Sequence, residues 1–273
     1  MLIKQQYNPT IKISKINFFF RVLSLLIIKI FFIDKIKKFS NSFQQLLITK
    51  IKIRYKNKIY FFRDGHERLF WRYTTQFIEE KKLCDWIDTF QKRDIFLDIG
   101  SNVGMFSIYA ASKDILTYAV EPHPSNLEYL YWNIYLNNLN KKILVFPNAL
   151  GNQEKVEKFS CRDLTPGVAQ NQILSVKQHS KINFLCPIVS FDKIIEIYKL
   201  KKPNKVKIDV DGVEFQILKG MLKTLNRVDE IYIEMLSEKK KNKSYYKILT
   251  LLKKYDFHIK NKYSENYIFK KNN

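Results

Sequence analysis

From Asp94 onwards, short apolar segments alternate with longer segments whose apolar residues recur at helical spacing. The apolar segments predict strands at 94–100, 116–122, 143–150, 205–210 and 230–236, and the intervening segments predict helices near 103–112, 125–138, 191–198, 213–225 and 243–254. Strands that alternate with helices in this way are typical of a parallel sheet connected by crossover helices. We therefore predict a Rossmann-like α/β fold with helices flanking a mostly parallel sheet.

The segments outside this alternation predict antiparallel structure. Residues 50–64 have the pattern of a hairpin around a polar turn, and the residues from 257 onwards suggest a closing antiparallel pair. Residues 66–90 predict amphipathic helices, whose expected inward positions are Leu69, Trp71, Phe77, Leu83 and Trp86.

An insertion is predicted between the third and fourth strands of the sheet. Residues 152–190 form two strand-like segments around a polar loop, 162–180, which lies where a lid over an acceptor would be placed. Gly167 and residues 170–172 of this loop are candidates for contact with a substrate.

The basic residues of the chain are concentrated at its two ends. The formal net charge of the 273 residues is +22, but residues 1–60 carry 13 Lys and Arg against one acid, and residues 238–273 carry 11 Lys against three acids. Basic ends attract anionic membranes or nucleic acids without sequence specificity. Because the segment between them is nearly neutral, we do not expect nucleic acid to be the substrate. We assign residues 1–60 to a basic, apolar extension and 61–273 to a catalytic domain.

Residues 16–33 form an apolar run in which 14 residues are apolar and the exceptions are Asn17, Arg21, Ser24 and Lys29. Two cations cost about 3 kcal/mol each on insertion, which cancels the gain from the apolar residues. A helix at a membrane surface, or one packed on the protein, is therefore expected rather than a spanning helix.

No cleavage site follows this apolar run, and the three cysteines form no disulfide framework. We therefore expect a cytoplasmic protein with peripheral membrane contact.

The first predicted strand runs into the segment DIGSNVG, residues 98–104. Gly100 and Gly104 allow the backbone to approach a cofactor closely, next to free amides at the start of the following helix. The fingerprint Gly-x-Gly-x-x-Gly is absent because Asn102 replaces a glycine, which disfavours a nicotinamide oxidoreductase. Asn tolerates left-handed backbone, so a tight turn is still expected. The alternative is an ordinary strand-to-helix turn.

Glu121 ends the second predicted strand, within AVEPHP. A carboxylate at this position can accept hydrogen bonds from both hydroxyls of a ribose, and the alternative is a surface acid. His123 follows closely and is a candidate general base, although a single histidine is more often structural.

Asp209 and Asp211 follow the fourth predicted strand, within KIDVDGVE. The carboxyl ends of parallel strands line the ligand crevice, and residues two apart project to the same side of a strand. Two close carboxylates can activate a hydroxyl or hold a divalent cation; the alternative is that they cap the following helix. We assign no residue to a metal site.

These motifs resemble, in order, those of the FkbM family of S-adenosylmethionine-dependent methyltransferases. The resemblance is carried by FLDIGSNVGMFSIYAA, AVEPHPSNLEYLYWNIYLNN, NALGN, VSFDKII, KIDVDGVEFQILKGM and IYIEM, and it covers residues 79–257. It implies a class I methyltransferase fold, S-adenosylmethionine as cofactor and methyl transfer to oxygen.

The resemblance also implies roles for individual residues. Those around the methionine portion of the cofactor would be Asp98, Gly100, Ser101, Asn102 and Gly104. Glu121 would hold the ribose, and Asn148 or Ala149 would neighbour the adenine. Asp209 and Asp211 match the family's acidic pair near the methyl group, where the family often has Glu in place of Asp211.

We therefore expect an O-methyltransferase that acts on a hydroxyl of a sugar, a glycan such as a surface polysaccharide, or another small molecule. The charge prompts one alternative, an RNA or protein methyltransferase. The other alternative is a non-catalytic, membrane-associated binding module with the same fold. A site that no longer catalyses a reaction should, however, have lost some of the motif residues, and these are intact here.

Overall fold

A computed structural model describes residues 23, 50–161, 163–168, 172–173, 182–235 and 243–272. The strands are β1 (Lys50–Tyr55), β2 (Lys58–Arg63), β3 (Ile95–Ile99), β4 (Leu116–Val120), β5 (Ile143–Phe146), β6 (Ala149–Leu150), β7 (Lys155–Cys161), β8 (Gln172–Ile173), β9 (Ile182–Val189), β10 (Lys205–Ile208), β11 (Glu230–Glu234), β12 (Phe257–Tyr263) and β13 (Asn266–Lys271). The helices are α1 (Glu67–Glu79), α2 (Lys81–Ile87), α3 (Met105–Ala111), α4 (Pro124–Leu136), α5 (Phe191–Tyr198), α6 (Glu214–Lys219), α7 (Leu222–Leu225) and α8 (Lys243–Lys254).

Seven strands form the central sheet, in the order β12-β13-β11-β10-β3-β4-β5. The five strands from β11 to β5 are parallel, whereas β13 runs antiparallel to β11 and to β12. The chain order reverses between β3 and β10, and ligands of open parallel sheets bind at the carboxyl ends of strands at such a point. The class I methyltransferase fold, including its closing antiparallel pair, is confirmed.

The central strands are buried on both faces. Phe96 and Leu97 are adjacent in β3 and point to opposite faces, yet both are 0% exposed, and Val206 and Ile208 of β10 are equally buried. Continuous burial of this kind is expected of parallel strands covered by helices on both sides, and it explains their nearly unbroken apolar sequences.

Two segments that the sequence predicted as continuous are interrupted in the structure. Pro147 lacks the amide that a ladder needs, so the predicted strand 143–150 ends at Phe146 and resumes as β6. The resumed strand leaves the central sheet and pairs with β9. The predicted helix 213–225 is two helices, α6 and α7, which meet at Gly220, where an added Cβ would lie 1.8 Å from the Gly151 carbonyl oxygen.

The predicted insertion forms a small sheet in the order β6-β9-β7-β8. As expected, β7 and β9 pair as antiparallel strands, from Lys155 opposite Ile188 to Cys161 opposite Ile182.

The hairpin predicted at 50–64 is present, and α1 packs on it within the same unit. The ring of Phe62 stacks on Tyr73 with a centroid distance of 4.6 Å, and Tyr55 stacks on Phe77 at 4.8 Å. The inward prediction for Trp71 is wrong, since its side chain is 54% exposed. The buried face of α1 follows Leu69, Tyr73 and Phe77 at helical spacing, and Trp71 falls off that face.

The described residues divide into two compact units, with the boundary between Glu79 and Glu80. A boundary at residue 60 is not what the structure shows, because it would cut β2, which pairs with β1 from Lys50 opposite Arg63 onwards. The predicted helix at 16–33 lies outside the described residues apart from Leu23. Within the described part of the chain, no helix has the length and apolarity needed to cross a bilayer.

Gly100 and Gly212 provide a matched test of how tightly the turn after β3 is packed. Both have left-handed φ values, +77° and +87°, but an added Cβ would lie 2.0 Å from the Asp209 carbonyl oxygen at Gly100 and would meet nothing within 4 Å at Gly212. Gly212→Ala should cost about 1–2 kcal/mol for its backbone conformation. Gly100→Ala should cost at least about 2 kcal/mol more, because strand β10 must move. Urea denaturation measures both, and equal losses would contradict the close packing.

Candidate active site

The turn after β3 is wedged between the neighbouring strands β4 and β10. The amides of Gly100 and Ser101 both donate to the Val120 carbonyl oxygen at 3.0 Å, and Gly104 follows at φ +85°. Asn102 has φ +51°, so the left-handed conformation expected of it is present. The turn therefore places main-chain atoms at the edge of the sheet where the strand order reverses.

Lys207 is a buried cation between two carboxylates, and the sequence analysis did not single it out. Its Nζ lies 3.1 Å from Asp98 Oδ1 and 3.2 Å from Asp209 Oδ2, and it donates to the Gly100 carbonyl oxygen at 3.3 Å. Asp98 is 0% exposed, and its other oxygen accepts from the Ser107 hydroxyl at 2.6 Å. Asp98 therefore supports the turn from its buried side, whereas Asp209, with a side chain that is 45% exposed, faces the crevice.

The charge of Lys207 is stabilised although the side chain is buried. Burial alone would lower the pKa of Lys207, but the carboxylates of Asp209 and Asp98 outweigh it and raise the pKa above its ordinary value. A raised folded-state pKa adds stability at every pH below about 10.4, the ordinary value, and this stability is lost only as the pH rises through the folded-state value. Lys207 is therefore a permanent cation in the physiological range.

Glu121 lies at the end of β4, directly beside this turn. Its Oε2 accepts from the Asn102 amide at 2.8 Å, and its Oε1 accepts from the His123 amide at 2.9 Å and from Asn126 Nδ2 at 3.2 Å. Burial raises the pKa of Glu121, and these hydrogen bonds act in the opposite direction. The side chain is thus anchored at the crevice edge with part of its acceptor capacity in use.

His123 is the N-cap of α4. Its Nδ1 accepts from the Asn126 amide at 3.4 Å, and its Nε2 lies 3.2 Å from the Asp163 carbonyl oxygen, to which it can donate. The ring is 0% exposed, and burial lowers the pKa of His123. With both nitrogens engaged, His123 is arranged to hold α4 and the 163–168 segment, and it presents no free nitrogen to an acceptor.

The described part of the polar loop, residues 163–168, closes over the Glu121 corner. Asn126 Oδ1 accepts from the Gly167 amide at 2.8 Å, and Asn102 Nδ2 donates to the Val168 carbonyl oxygen at 3.0 Å. Gly167 therefore lies next to the predicted ribose site rather than at the acidic pair. Residues 170–171 lie outside the described residues.

Asn148 and Ala149 do not end a strand of the central sheet. Asn148 lies between β5 and β6 and donates from Nδ2 to the Ala149 carbonyl oxygen at 2.8 Å. Ala149 is buried in the core of the small sheet, where it packs with Phe159, Cys186 and Ile188. Of the two, only Asn148 is partly exposed beside the end of β5.

Asp211 lies in the exposed turn after β10. The N-cap position of α6 is Val213, which makes no side-chain cap hydrogen bond, so Asp211 does not occupy the cap that the alternative interpretation gave it. A cavity of about 400 Å³ begins beside this turn and extends along α6, with a lining that mixes polar and apolar residues: Leu150, Gly151, Asn152, Gln153, Lys155, Glu157, Ile188, Val213, Gln216 and Lys219.

Glu234 is a further acidic residue at this edge that the site prediction omitted. It ends β11, next to Asp209 after β10, with which it shares a side-chain hydrogen bond. Burial, the charge of Asp209 and this hydrogen bond raise the pKa of Glu234 to about 8, with smaller contributions from Glu80 and Asp211. Its place in IYIEM, at the end of a predicted strand, was the available sequence signal.

The model of the methyltransferase FkbM domain matches residues 94–259, which is more than half of the chain. The chain belongs to this family. The match includes the turn after β3, Glu121, the acidic pair and Glu234.

Two curated relatives are also methyltransferases. Hexuronic acid methyltransferase AglP of Haloferax volcanii is 27% identical over 145 residues, which are 53% of this chain and 57% of AglP. Methyltransferase 1 of Beauveria bassiana is 25% identical over 175 residues, which are 57% of this chain and 70% of that protein.

Among solved structures, methyltransferase FkbM from Methylobacillus flagellatus KT superposes with a TM-score of 0.46 and 17% identity. The superposition covers 66% of this chain and 44% of that one. This chain therefore spans about half the length of that protein and of AglP.

Lys207→Met tests the buried ion pairs. The substitution keeps the volume but leaves the Asp98 carboxylate buried without its cation, which typically costs about 3–5 kcal/mol. Lys193→Met, which removes an exposed ion pair with Glu196, should change stability by less than about 1 kcal/mol. Urea denaturation of both variants provides the measurement. Adding Asp98→Asn to Lys207→Met should recover part of the loss, and wild-type stability in Lys207→Met would contradict the structural role.

Proposed function

We propose that the chain is an S-adenosylmethionine-dependent O-methyltransferase that acts on a hydroxyl of a sugar or glycan. The observation that carries the proposal is the hydrogen bond from the Asn102 amide to Glu121, which joins the glycine-rich turn to an anchored carboxylate at the reversal of strand order. Asp209 lies on the other side of the same turn. Family membership supports methyl transfer as the activity.

The residues at this edge fit the proposed cofactor. Gly100, Ser101, Asn102 and Gly104 would surround its methionine portion with backbone, Asp98 would support the turn, and Asn148 would neighbour the adenine, beside Ala149. A carboxylate has about four acceptor sites, and three of those of Glu121 are in use. One ribose hydroxyl can bind directly, and a second can bind if Asn126, which makes the longest of the three bonds, gives way. When bound, the cofactor supplies an activated methyl group on a sulfonium.

The other groups that the reaction needs must come from side chains of this chain. The reaction needs a positioned hydroxyl and an acceptor for its proton, and a positioned base contributes about 10²–10⁴-fold. Asp209 and Asp211 are the exposed acids that follow β10, and the ion pair with Lys207 holds Asp209 in place. His123 has no free nitrogen for this role, and in our proposal it positions α4 and the adjoining loop.

A sugar hydroxyl as the acceptor is supported by two observations. One curated relative is named a hexuronic acid methyltransferase. In this chain, the cavity beside the Asp211 turn is lined by the amides of Asn152, Gln153 and Gln216, which hydrogen-bond to hydroxyls, and by Lys219, which attracts a carboxylate. Lys155 of the same lining is paired with Glu157. RNA is disfavoured, because the basic excess lies at the chain ends. Peripheral membrane contact through residues 1–60 stays a proposal from the sequence, as does a cytoplasmic location.

Cofactor identity can be tested by isothermal titration with S-adenosylhomocysteine, with NAD in parallel. We expect micromolar binding of the first ligand alone. Glu121→Gln should raise its dissociation constant roughly ten- to hundredfold, because hydrogen bonds to a charged group are worth about 1.5–3 kcal/mol. Glu128→Gln, an exposed change on α4, should bind as the wild type does. Unchanged affinity in Glu121→Gln would refute the ribose assignment, and binding of neither ligand would favour the binding-module alternative.

Asp209→Asn separates catalysis from binding. Turnover should fall by about 10²-fold or more, whereas the affinity for S-adenosylhomocysteine should change by less than about threefold. Steady-state methyl transfer to a uronic acid glycoside and titration of the same preparation give the two quantities. Equal losses of both would make Asp209 a cofactor ligand or a structural residue instead.

A further inference from the structure

We propose that Glu234 is the residue that takes up the proton of the acceptor hydroxyl, as the second member of a carboxyl pair with Asp209. This inference rests on the proposed methyltransferase function and deepens it. Asp209 is then a positioning residue that directs the hydroxyl and holds Glu234.

The sheet register places the two carboxyl groups side by side. Strands β10 and β11 are parallel, with Lys207 opposite Tyr232 and Ile208 opposite Ile233, so that Asp209 comes level with Glu234. Residues two apart point to the same face, which puts Lys207 and Tyr232 in one layer and Asp209 and Glu234 in the layer nearer the carboxyl ends. The pair therefore lies at the carboxyl ends of the strands, on the β11 side of the reversal of strand order.

The two members of the pair have different surroundings. Asp209 contacts the Lys207 ammonium at 3.2 Å, which favours its ionised form. Glu234 is partly buried and has no ion pair among the described residues, and the neighbouring charges that raise its pKa most, those of Asp209, of Glu80 ahead of α2 and of Asp211, are negative. A proton shared by the pair is consequently held on Glu234, which donates it to Asp209.

These surroundings make Glu234 the stronger base once it is ionised. Its pKa of about 8 is close to the operating pH of a cytoplasmic enzyme, the range in which a general base is most effective. Asp209, stabilised by Lys207, accepts a hydrogen bond well but has little tendency to take a proton. In the transfer step the acceptor O–H bond breaks and its proton passes to the Glu234 carboxylate. The oxygen electron pair forms the bond to the methyl carbon, whose former bonding pair stays on sulfur.

The pH dependence of turnover tests this assignment, with methyl glucuronoside as acceptor and S-adenosylmethionine as donor. In the wild type kcat should rise with pH, reach half its maximum near pH 8 and level off about one pH unit above that, as Glu234 ionises. Glu234→Gln should lose at least tenfold in kcat and also lose this rise, with unchanged affinity for S-adenosylhomocysteine. Asp209→Asn should keep the rise but shift it to lower pH, because it removes the neighbouring negative charge. Glu196→Gln, an exposed surface change, is the matched control.

A second measurement needs neither cofactor nor acceptor. Glu234 keeps its proton in the folded chain between about pH 4.3 and 8, whereas in the unfolded chain it is ionised there, so its contribution to stability decreases as the pH rises through this window. Urea denaturation at several pH values should show this decrease in the wild type and in Glu196→Gln, and a weaker one in Glu234→Gln.

The outcomes separate this inference from the function on which it rests. If the wild type neither binds S-adenosylhomocysteine nor transfers methyl groups, the proposed function fails, and the unfolding data still decide whether Glu234 holds the proton. If the wild type is active and Glu234→Gln keeps its rate and pH profile, the role of Glu234 is overturned. Loss of the rise in Asp211→Asn instead would move the role to Asp211. A requirement for Mg²⁺ that Glu234→Gln weakens would show that the pair holds a cation rather than a proton.

Discussion

The ammonium group of Lys207 lies between the carboxylates of Asp98 and Asp209, and through them it joins β3 to β10 where the strand order reverses. It also donates to the Gly100 carbonyl oxygen, so one buried cation fixes the turn that would approach the cofactor. Two anions around one cation leave the group with a net negative charge. That excess is tolerated because Asp209 is partly exposed to water, whereas Asp98 is buried and also bonded to Ser107.

On the other side of the turn, Glu121 performs a comparable structural task without a cation. Backbone amides of Asn102 and His123 and the side chain of Asn126 hold it, so its orientation is set by the turn and by the start of α4. The two edges of the candidate site are therefore held by different physical means, by charge pairing at β10 and by hydrogen bonds at β4. This difference matches the tasks proposed for them, since a ribose needs hydrogen-bond acceptors, whereas an ionised Asp209, held by Lys207, is needed to direct the reacting hydroxyl.

Much of this arrangement was predictable because it depends on residues that are close in sequence. The strand-to-helix turn with left-handed Asn102, the acid after β4, the acids after β10 and the antiparallel insertion all follow from local patterns. Predictions that depended on partners distant in sequence were less accurate. The segment after Pro147, predicted to continue a strand of the central sheet, pairs instead with β9 of the small sheet. The wrong prediction for Trp71 has a local cause, since the helical spacing of Leu69, Tyr73 and Phe77 leaves Trp71 off the buried face of α1.

By itself the sequence determined the fold class, the family and the positions of the acids at the strand ends, because apolar periodicity and glycine placement act over a few residues. Only the tertiary structure decided which groups form ion pairs and which carboxyl groups share a proton. Lys207 pairs with Asp98 across two strands that are more than a hundred residues apart, and Glu234 meets Asp209 through the register of β10 and β11. His123 illustrates the same limit, since its occupied ring nitrogens are apparent only once Asp163 and Asn126 are in place. Ionisation depends on burial and on neighbouring charges, and both are properties of the assembled sheet.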